Sequence, residues 1–291
     1  MPPRALASLT GYITGTLGGG PPLGKLRAAA VVPVPGPRTT ALRSDSREVG
    51  LDRMDEPPPG SERHRIEAVY DTYDTAGDGR WSVANPGNRV IYDEQLALVA
   101  QALDRHGYWP LSDADVLDVG CGSGSMLDQL RLEGGATGRV IGLDLRLGRL
   151  QQCQPRYPEI AMMACSGASI ALPDDSIDVV AAFTLFSSVL DEELQRRIAA
   201  EITRVLRPGG IVAWYDLRTP NPANKALRSM TKRKVESLFP ASVIDLRSAT
   251  LLPPLARRLG DQAEARYQQL NRLPFLRSHL VGVVRVSAPG Q

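Results

Sequence analysis

From residue 114 onward, short apolar runs alternate with stretches whose apolar residues recur every three or four positions. The runs predict strands over 115–119, 139–144, 160–165, 177–183 and 211–216. The stretches between them predict helices over 124–133, 147–155 and 191–206. The last carries Leu194, Ile198, Ile202, Val205 and Leu206 on one face, and Pro155 and Pro158 end the middle one. Strands and helices alternating at this length predict parallel β–α units in a sheet covered on both faces. Upstream, Ile66, Val69, Tyr70 and Tyr73 have helical spacing, and the Gly77–Gly79 stretch breaks it. A second helix, roughly 88–106, presents Tyr92, Leu96, Val99 and Leu103, and Gly107 stops it. Downstream, a basic helix over 231–238 and a helix around 262–271 separate strands at 243–247 and 280–286.

Residues 1–60 have no such pattern. They hold ten of the 23 prolines and nine of the 27 glycines. A segment of this kind buries too little surface to offset its chain entropy, so a disordered leader is expected. Its first acidic residue is Asp45, and Met54 is a candidate working start. The expected division is therefore a leader over 1–60, N-terminal helices over 61–110, a core over 114–217 and a completing segment over 218–291.

The chemistry gathers where the first strand of the core ends. Val116-Leu117-Asp118-Val119 runs into Gly120-Cys121-Gly122-Ser123-Gly124, and a helix follows. A strand, a tight glycine turn and a helix start bring bare backbone to a ligand and point free N–H groups at it. About 20 residues on, the next apolar run ends in Asp144, a carboxylate placed to accept from ribose hydroxyls. A dinucleotide turn calls for a third glycine, but Ser125 or Leu127 stands there according to register. Asp118, inside the strand, crowds a pyrophosphate and suits a cationic ligand.

On these residues the turn resembles the first motif of the class I methyltransferases that use S-adenosylmethionine (SAM), close to their type 11 group. Arg207-Pro208-Gly209-Gly210 resembles the turn before that group's fifth strand. The resemblance implies a Rossmann-like, doubly wound α/β fold. Its seven-stranded sheet would be mostly parallel with an antiparallel last strand, under N-terminal cap helices. It implies that SAM is held by Gly120, Cys121, Gly122 and Gly124, with Asp118 taking the ammonium directly or through water. Asp144 would take the ribose, Leu145 would pack on adenine, and Phe183 would border the methionyl end. Two positions depart from the pattern. Ser166, beside Gly167, stands where the family has an acid for the adenine amino group. After the fourth strand, Leu185-Phe186-Ser187-Ser188 has no histidine pair, so no general base is marked; Asp216 and Tyr92 are the best-placed candidates.

The acceptor is expected to be a small molecule, methylated at oxygen. Trp81, Asn88 and Arg89 in the cap, and Arg218 and Arg228 past the fifth strand, are the candidate acceptor residues. The 218–234 stretch has six basic residues before Glu236, which suits an anionic group. No aromatics interleave with them for base stacking, which argues against nucleic acid. The net charge of +2 points the same way. Three cysteines without C-x-x-C and three histidines supply no metal set, so no metal is expected and a reducing cytoplasm fits. No apolar run approaches a membrane span of roughly 20 residues. A non-catalytic SAM-binding or partner-binding protein with this fold, and an NAD(P)-dependent oxidoreductase, are the rival readings.

Overall fold

The computed structural model describes residues 30–31, 57–58, 60–75, 81–219 and 224–286. In chain order it has β1 (Ala30–Val31), α1 (Glu62–Thr75), α2 (Pro86–Arg105), β2 (Val116–Val119), α3 (Ser125–Gly134), β3 (Val140–Asp144), α4 (Leu147–Cys153), β4 (Ala161–Ala164) and β5 (Ile177–Phe183). Then come α5 (Glu192–Val205), β6 (Leu206–Leu217), α6 (Lys232–Leu238), β7 (Val243–Leu251), α7 (Pro253–Arg258), α8 (Ala263–Asn271) and β8 (Arg277–Arg285). All strands form one sheet in the order β1-β4-β3-β2-β5-β6-β8-β7. Strands β2 to β6 run parallel, and β8 inserts antiparallel between β6 and β7. The expected seven strands are β2 to β8. The two-residue β1 adds an antiparallel edge against β4 and comes from within the segment expected to be disordered. Most of that leader, and the 76–80 break, lie outside the described residues.

Side-chain alternation along the strands divides the core in two. Leu117 and Val119 join Phe186, Trp214 and the α5 residues Ile198 and Ile202 on one face. Val116 joins Leu96, Leu103, Leu127 and Leu150 on the other. Helix α2, expected with α1 as a cap, belongs to this second layer. It packs on β6 and β8 and against α3, α7 and α8. Its Leu96, Val99 and Leu103 are buried as the periodicity predicts, but against the sheet and not over a cavity.

Arg207-Pro208-Gly209-Gly210 lies within β6 instead of before it. The ladder to β5 shifts register between Ile177 and Val179, and Gly209 takes φ +82°. The motif's arginine ties strand ends together. Arg207 meets Asp178 at 2.5 Å and Asp115 at 2.9 Å, and Arg139 meets Asp115 at 2.8 Å. Burial would raise the Asp115 carboxyl, but the hydrogen bonds from Arg139 and Arg207 outweigh it and hold it at about 2.

Candidate functional site

The glycine turn is dictated by backbone conformation. Gly120, Gly122 and Gly124 have φ of +82°, +55° and +72°, values other residues adopt only under strain. The N–H groups of Gly120 and Cys121 both donate to the Leu143 carbonyl, at 2.7 and 2.9 Å, which locks the turn against the end of β3. The three glycines meet different surroundings. A Cβ on Gly120 would lie 3.2 Å from Leu185 Cδ1, and one on Gly124 would lie 3.3 Å from the Tyr157 ring. One on Gly122 would meet only Arg149 Nη1, at 3.6 Å. Gly122 is therefore the open face of the turn, whereas Gly124 accommodates a protein ring.

Asp144 closes the other side. Its Oδ2 accepts from the Gly122 N–H at 3.0 Å, and its Oδ1 accepts from the Arg146 N–H at 3.0 Å. Between turn and carboxylate opens a cleft that is partly exposed to solvent. Of the residues assigned to the cofactor from sequence, Gly120, Gly122, Asp144, Leu145, Ser166, Gly167 and Phe183 line it together. Ser166 Oγ accepts from the Ala168 N–H at 3.2 Å and shapes that corner. A Cβ on Gly167 would stand 3.0 Å from Val119 Cγ1, so only glycine fits there without displacement.

Cys121, Gly124 and Asp118 do not line the cleft. Asp118 alternates with Leu117 and Val119, so its side chain leaves the sheet on the other face, beneath the turn. It is 3% exposed, and its Oδ1 has no hydrogen-bond partner. Burial, with the Asp144 charge adding to it, pushes this carboxyl up to about 8.

The remaining walls come from elsewhere in the chain. Ile66 and Tyr70 of α1 cover the cleft, and Arg149 lies over the Tyr70 ring at 5.6 Å. Helix α1 is fastened at several points. Arg65 donates to the Ser188 carbonyl at 2.5 Å, Glu62 accepts from the Leu190 N–H, and Arg146 pairs with Asp71 at 2.7 Å. Leu194 and Ile198 of α5 form part of the apolar floor. The segment after β5 supplies Thr184, Leu185, Ser188 and Val189. Thr184 has φ +52°, strained for a β-branched residue, and its N–H is held by the Tyr215 carbonyl at 2.7 Å. The spacing of Ile66 and Tyr70, and of Leu194 and Ile198, was visible as helical faces. Nothing in it signalled a cavity.

The acceptor candidates fall outside the cleft. Trp81 is 54% exposed with Arg257 5.4 Å over its ring. Asn88 donates to the Ser82 carbonyl at 2.9 Å, and Arg89 to the Val83 carbonyl at 3.3 Å. These residues gather where the start of α2 meets α7, a contact so close that a Cβ on Gly87 would sit 2.1 Å from the Ala256 oxygen. Arg218 donates its N–H to the Ser278 carbonyl at 2.7 Å. Arg228 is nearer the cleft: its N–H meets the Ser187 carbonyl at 2.8 Å, and its guanidinium meets Glu192 at 3.5 Å. Tyr92, raised by burial, does not line the cleft either. Asp216 is fully buried behind the cleft wall, with both oxygens on backbone N–H groups. Among the described residues no cluster could hold a metal, and no helix is long and apolar enough to cross a membrane.

A bare glycine turn, a wall carboxylate, a buried unpartnered acid and a largely apolar surface fit a cationic nucleoside better than a dinucleotide. Comparison with known proteins agrees. Residues 116–210 match the family model described as a methyltransferase domain. A Mycolicibacterium smegmatis protein named "Probable S-adenosylmethionine-dependent methyltransferase" is 37% identical over 107 residues, 37% of this chain and 38% of its own length. A 2-phytyl-1,4-naphtoquinone methyltransferase of Trichormus variabilis is 28% identical over 55% of this chain and 65% of its own. The chain thus spans less than two thirds of either relative. In fold, it resembles the Burkholderia thailandensis 1,6-didemethyltoxoflavin-N1-methyltransferase, crystallised with its acceptor and S-adenosylhomocysteine. The TM-score is 0.52 at 17% identity, over 89% of this chain and 96% of that one. Over residues 116–210 the chain thus carries a segment that matches a methyltransferase domain and is similar to SAM-dependent methyltransferases.

Proposed function

We propose that this protein transfers the methyl group of SAM to a small-molecule acceptor, at oxygen. The observation that carries the reading is Asp118, buried and unpartnered beneath the glycine turn while Asp144 holds that turn from the cleft. Two carboxylates at one turn favour a ligand with positive charge and hydroxyls. When bound, SAM brings a methyl group already activated as a sulfonium. The protein's part is to position and to exclude water, and orientation alone supplies much of the rate. Asp144 would hold the ribose, and Leu145 and Leu185 would pack on the nucleoside. The backbone at Gly120 and Gly122 would admit the methionyl chain, while Ile66 and Tyr70 shield it from solvent. Asp118 would act, once the cation is bound and its proton released, as a buried negative charge under the turn and not as a direct contact.

For the acceptor, the 224–228 segment meets the cleft wall at Ser187, whose carbonyl accepts from the Arg228 N–H at 2.8 Å, and Asn224 donates to the Tyr73 hydroxyl at 3.1 Å. We propose that Arg228 there, with Arg218, meets an anionic group on the acceptor. Charge reversal at both should raise the acceptor KM and leave S-adenosylhomocysteine binding intact. An unchanged KM would remove these residues from the acceptor site. The function itself is tested by transfer of labelled methyl from SAM into a host extract. Mass and carbon resonance of the product give acceptor and methylated atom. Calorimetry with S-adenosylhomocysteine and NAD(H) runs beside it, and binding of NAD(H) alone would overturn the reading.

Proton linkage follows from Asp118. With its pKa at about 8 in the free protein, the group is neutral at pH 7. Its contribution to stability is fullest at low pH and is lost as pH rises through about 8. A bound cation pulls the carboxyl down, so binding should release a proton and affinity should rise with pH up to about 8. Calorimetry in buffers of different ionisation enthalpy reads this directly. Asp118→Asn should abolish the proton release.

A further inference from the structure

We propose that Asp216 is a positioning residue that holds the wall of the cofactor cleft in place, and that it makes cofactor affinity sensitive to acid. The proposal rests on the methyltransferase reading above and assigns Asp216 no contact with the cofactor.

The wall in question is the segment from Phe183 to Val189, which leaves β5, passes through Thr184 at φ +52° and makes a short 3-10 turn at Phe186–Ser188. Phe183, Thr184, Leu185, Ser188 and Val189 face the cleft, and Leu185 touches the glycine turn at Gly120. A segment containing a strained residue keeps its shape only when its surroundings over-determine it. Two buried polar side chains do so. Gln195 of α5, 3% exposed, donates Nε2 to the Phe186 carbonyl at 2.9 Å and to the Val189 carbonyl at 2.7 Å. Asp216 of β6, 0% exposed, accepts the Ser187 N–H on Oδ2 at 3.1 Å and the Leu217 N–H on Oδ1 at 2.7 Å. The outer end of the segment carries the fastenings of α1, through Arg65 to Ser188 and Glu62 to Leu190. The Asp216 carboxylate thus sits behind both the cleft wall and the attachment of the helix that covers it.

An acid at this position is unusual. Trp214 and Val212 precede it on the same face of β6 and are core residues. No cation among the described residues bonds to it. Tyr215 beside it on β6 and His279 on β8 belong to the opposite face, and burial pulls His279 down to about 4, leaving it neutral. Glu62, Arg65, Glu192 and Arg228 are engaged at the outer end of the segment. Met230 packs against Gln195. Burial raises Asp216 to about 6, with the Ser187 and Leu217 hydrogen bonds restraining the rise. Once protonated, the carboxyl is a weaker acceptor and brings an O–H into a shell of donors, so the turn loses its anchor.

Folding and binding should therefore respond oppositely to acid. The pKa is raised above the unfolded value of about 4, so the folded state gains from this group as pH falls through about 6. Cofactor affinity falls over the same range as the wall loosens.

The test is calorimetric titration of the intact protein with S-adenosylhomocysteine between about pH 5 and 7.5, with apo thermal unfolding alongside, for the native chain and Asp216→Asn. The native protein should lose affinity below about pH 6 while its apo stability gains from Asp216. Asp216→Asn should bind about tenfold more weakly at pH 7.5, lack the transition near 6, and show a higher apo melting temperature at pH 7.5. If Asp216→Asn does not fold, Gln195→Met loosens the same turn from α5 and should weaken binding while keeping the acid transition. Asp216→Asn binding as tightly as the native chain, with the same acid transition, would overturn the proposal. So would unchanged affinity in Gln195→Met. Failure of S-adenosylhomocysteine to bind the native chain at any pH would instead overturn the methyltransferase reading.

Discussion

Asp144→Ala should weaken S-adenosylhomocysteine binding by about a hundredfold or more, because it removes two charge-assisted hydrogen bonds of roughly 1.5–3 kcal/mol each and the proposed ribose contact. The Gly122 N–H on Oδ2 and the Arg146 N–H on Oδ1 use one lone pair of each oxygen. A carboxylate oxygen has two, so the side chain can order the turn and still accept from a ligand diol. Without it, Gly122 loses its tether at φ +55°, and the N–H of Arg146, the residue before α4, loses its acceptor. Asp144→Asn keeps the shape and one carbonyl acceptor, so its loss should be nearer tenfold. Both bonds lie within the protein, so the melting temperature should also fall, more for Asp144→Ala than for Asp144→Asn. Calorimetric titration checks the affinities. Native affinity in Asp144→Ala would remove Asp144 from the ligand site.

The strands and most helices of the core were legible because each satisfies a local rule and a burial rule together. Ile177–Phe183 is apolar because both faces of a central parallel strand are covered. The glycine turn was legible because its backbone admits little else. What periodicity does not encode is the layer that a helix joins. The face of α2 with Leu96, Val99 and Leu103 was correctly apolar, but which side of the sheet it meets depends on contacts with β6 and β8, far along the chain. The acceptor candidates Trp81, Asn88 and Arg89 therefore sit beside α7, a short helix opening on Pro253-Pro254 that the periodicity did not predict. For the same reason the cover over the cleft comes from Ile66 and Tyr70. Beyond Phe183 the conformation of the post-β5 wall was not legible, since Thr184 is held by the Tyr215 carbonyl and the turn after it by Asp216 and Gln195.

Gly282→Ala should destabilise the fold by roughly 4 kcal/mol or more, enough to unfold much of a domain whose whole stability is about 5–15 kcal/mol. Gly282 lies midway along β8, paired with Trp214 on one side and Leu246 on the other. Its φ is +152°, and a Cβ there would lie 1.9 Å from the Asp245 carbonyl oxygen. That oxygen is backbone in a neighbouring strand, so no side-chain rotation relieves the clash. Either β7 moves away or β8 abandons its conformation. Both routes break the ladder that holds Val243–Leu251 on the sheet. The consequence reaches the cleft through β6, which pairs with β8 from Ile211 to Leu217 and carries Asp216 at its end. The variant should therefore show a much lower melting temperature and little soluble protein, and any folded fraction should bind S-adenosylhomocysteine poorly. Gly135→Ala is the matched control: its φ of +61° imposes backbone strain, but a Cβ there meets nothing within 4 Å. It should cost about 1–2 kcal/mol and leave affinity unchanged. Scanning calorimetry of the pair separates steric intrusion into the sheet from the backbone strain that both substitutions share. Equal melting temperatures for the two would show that β7 yields to the new methyl group without loss.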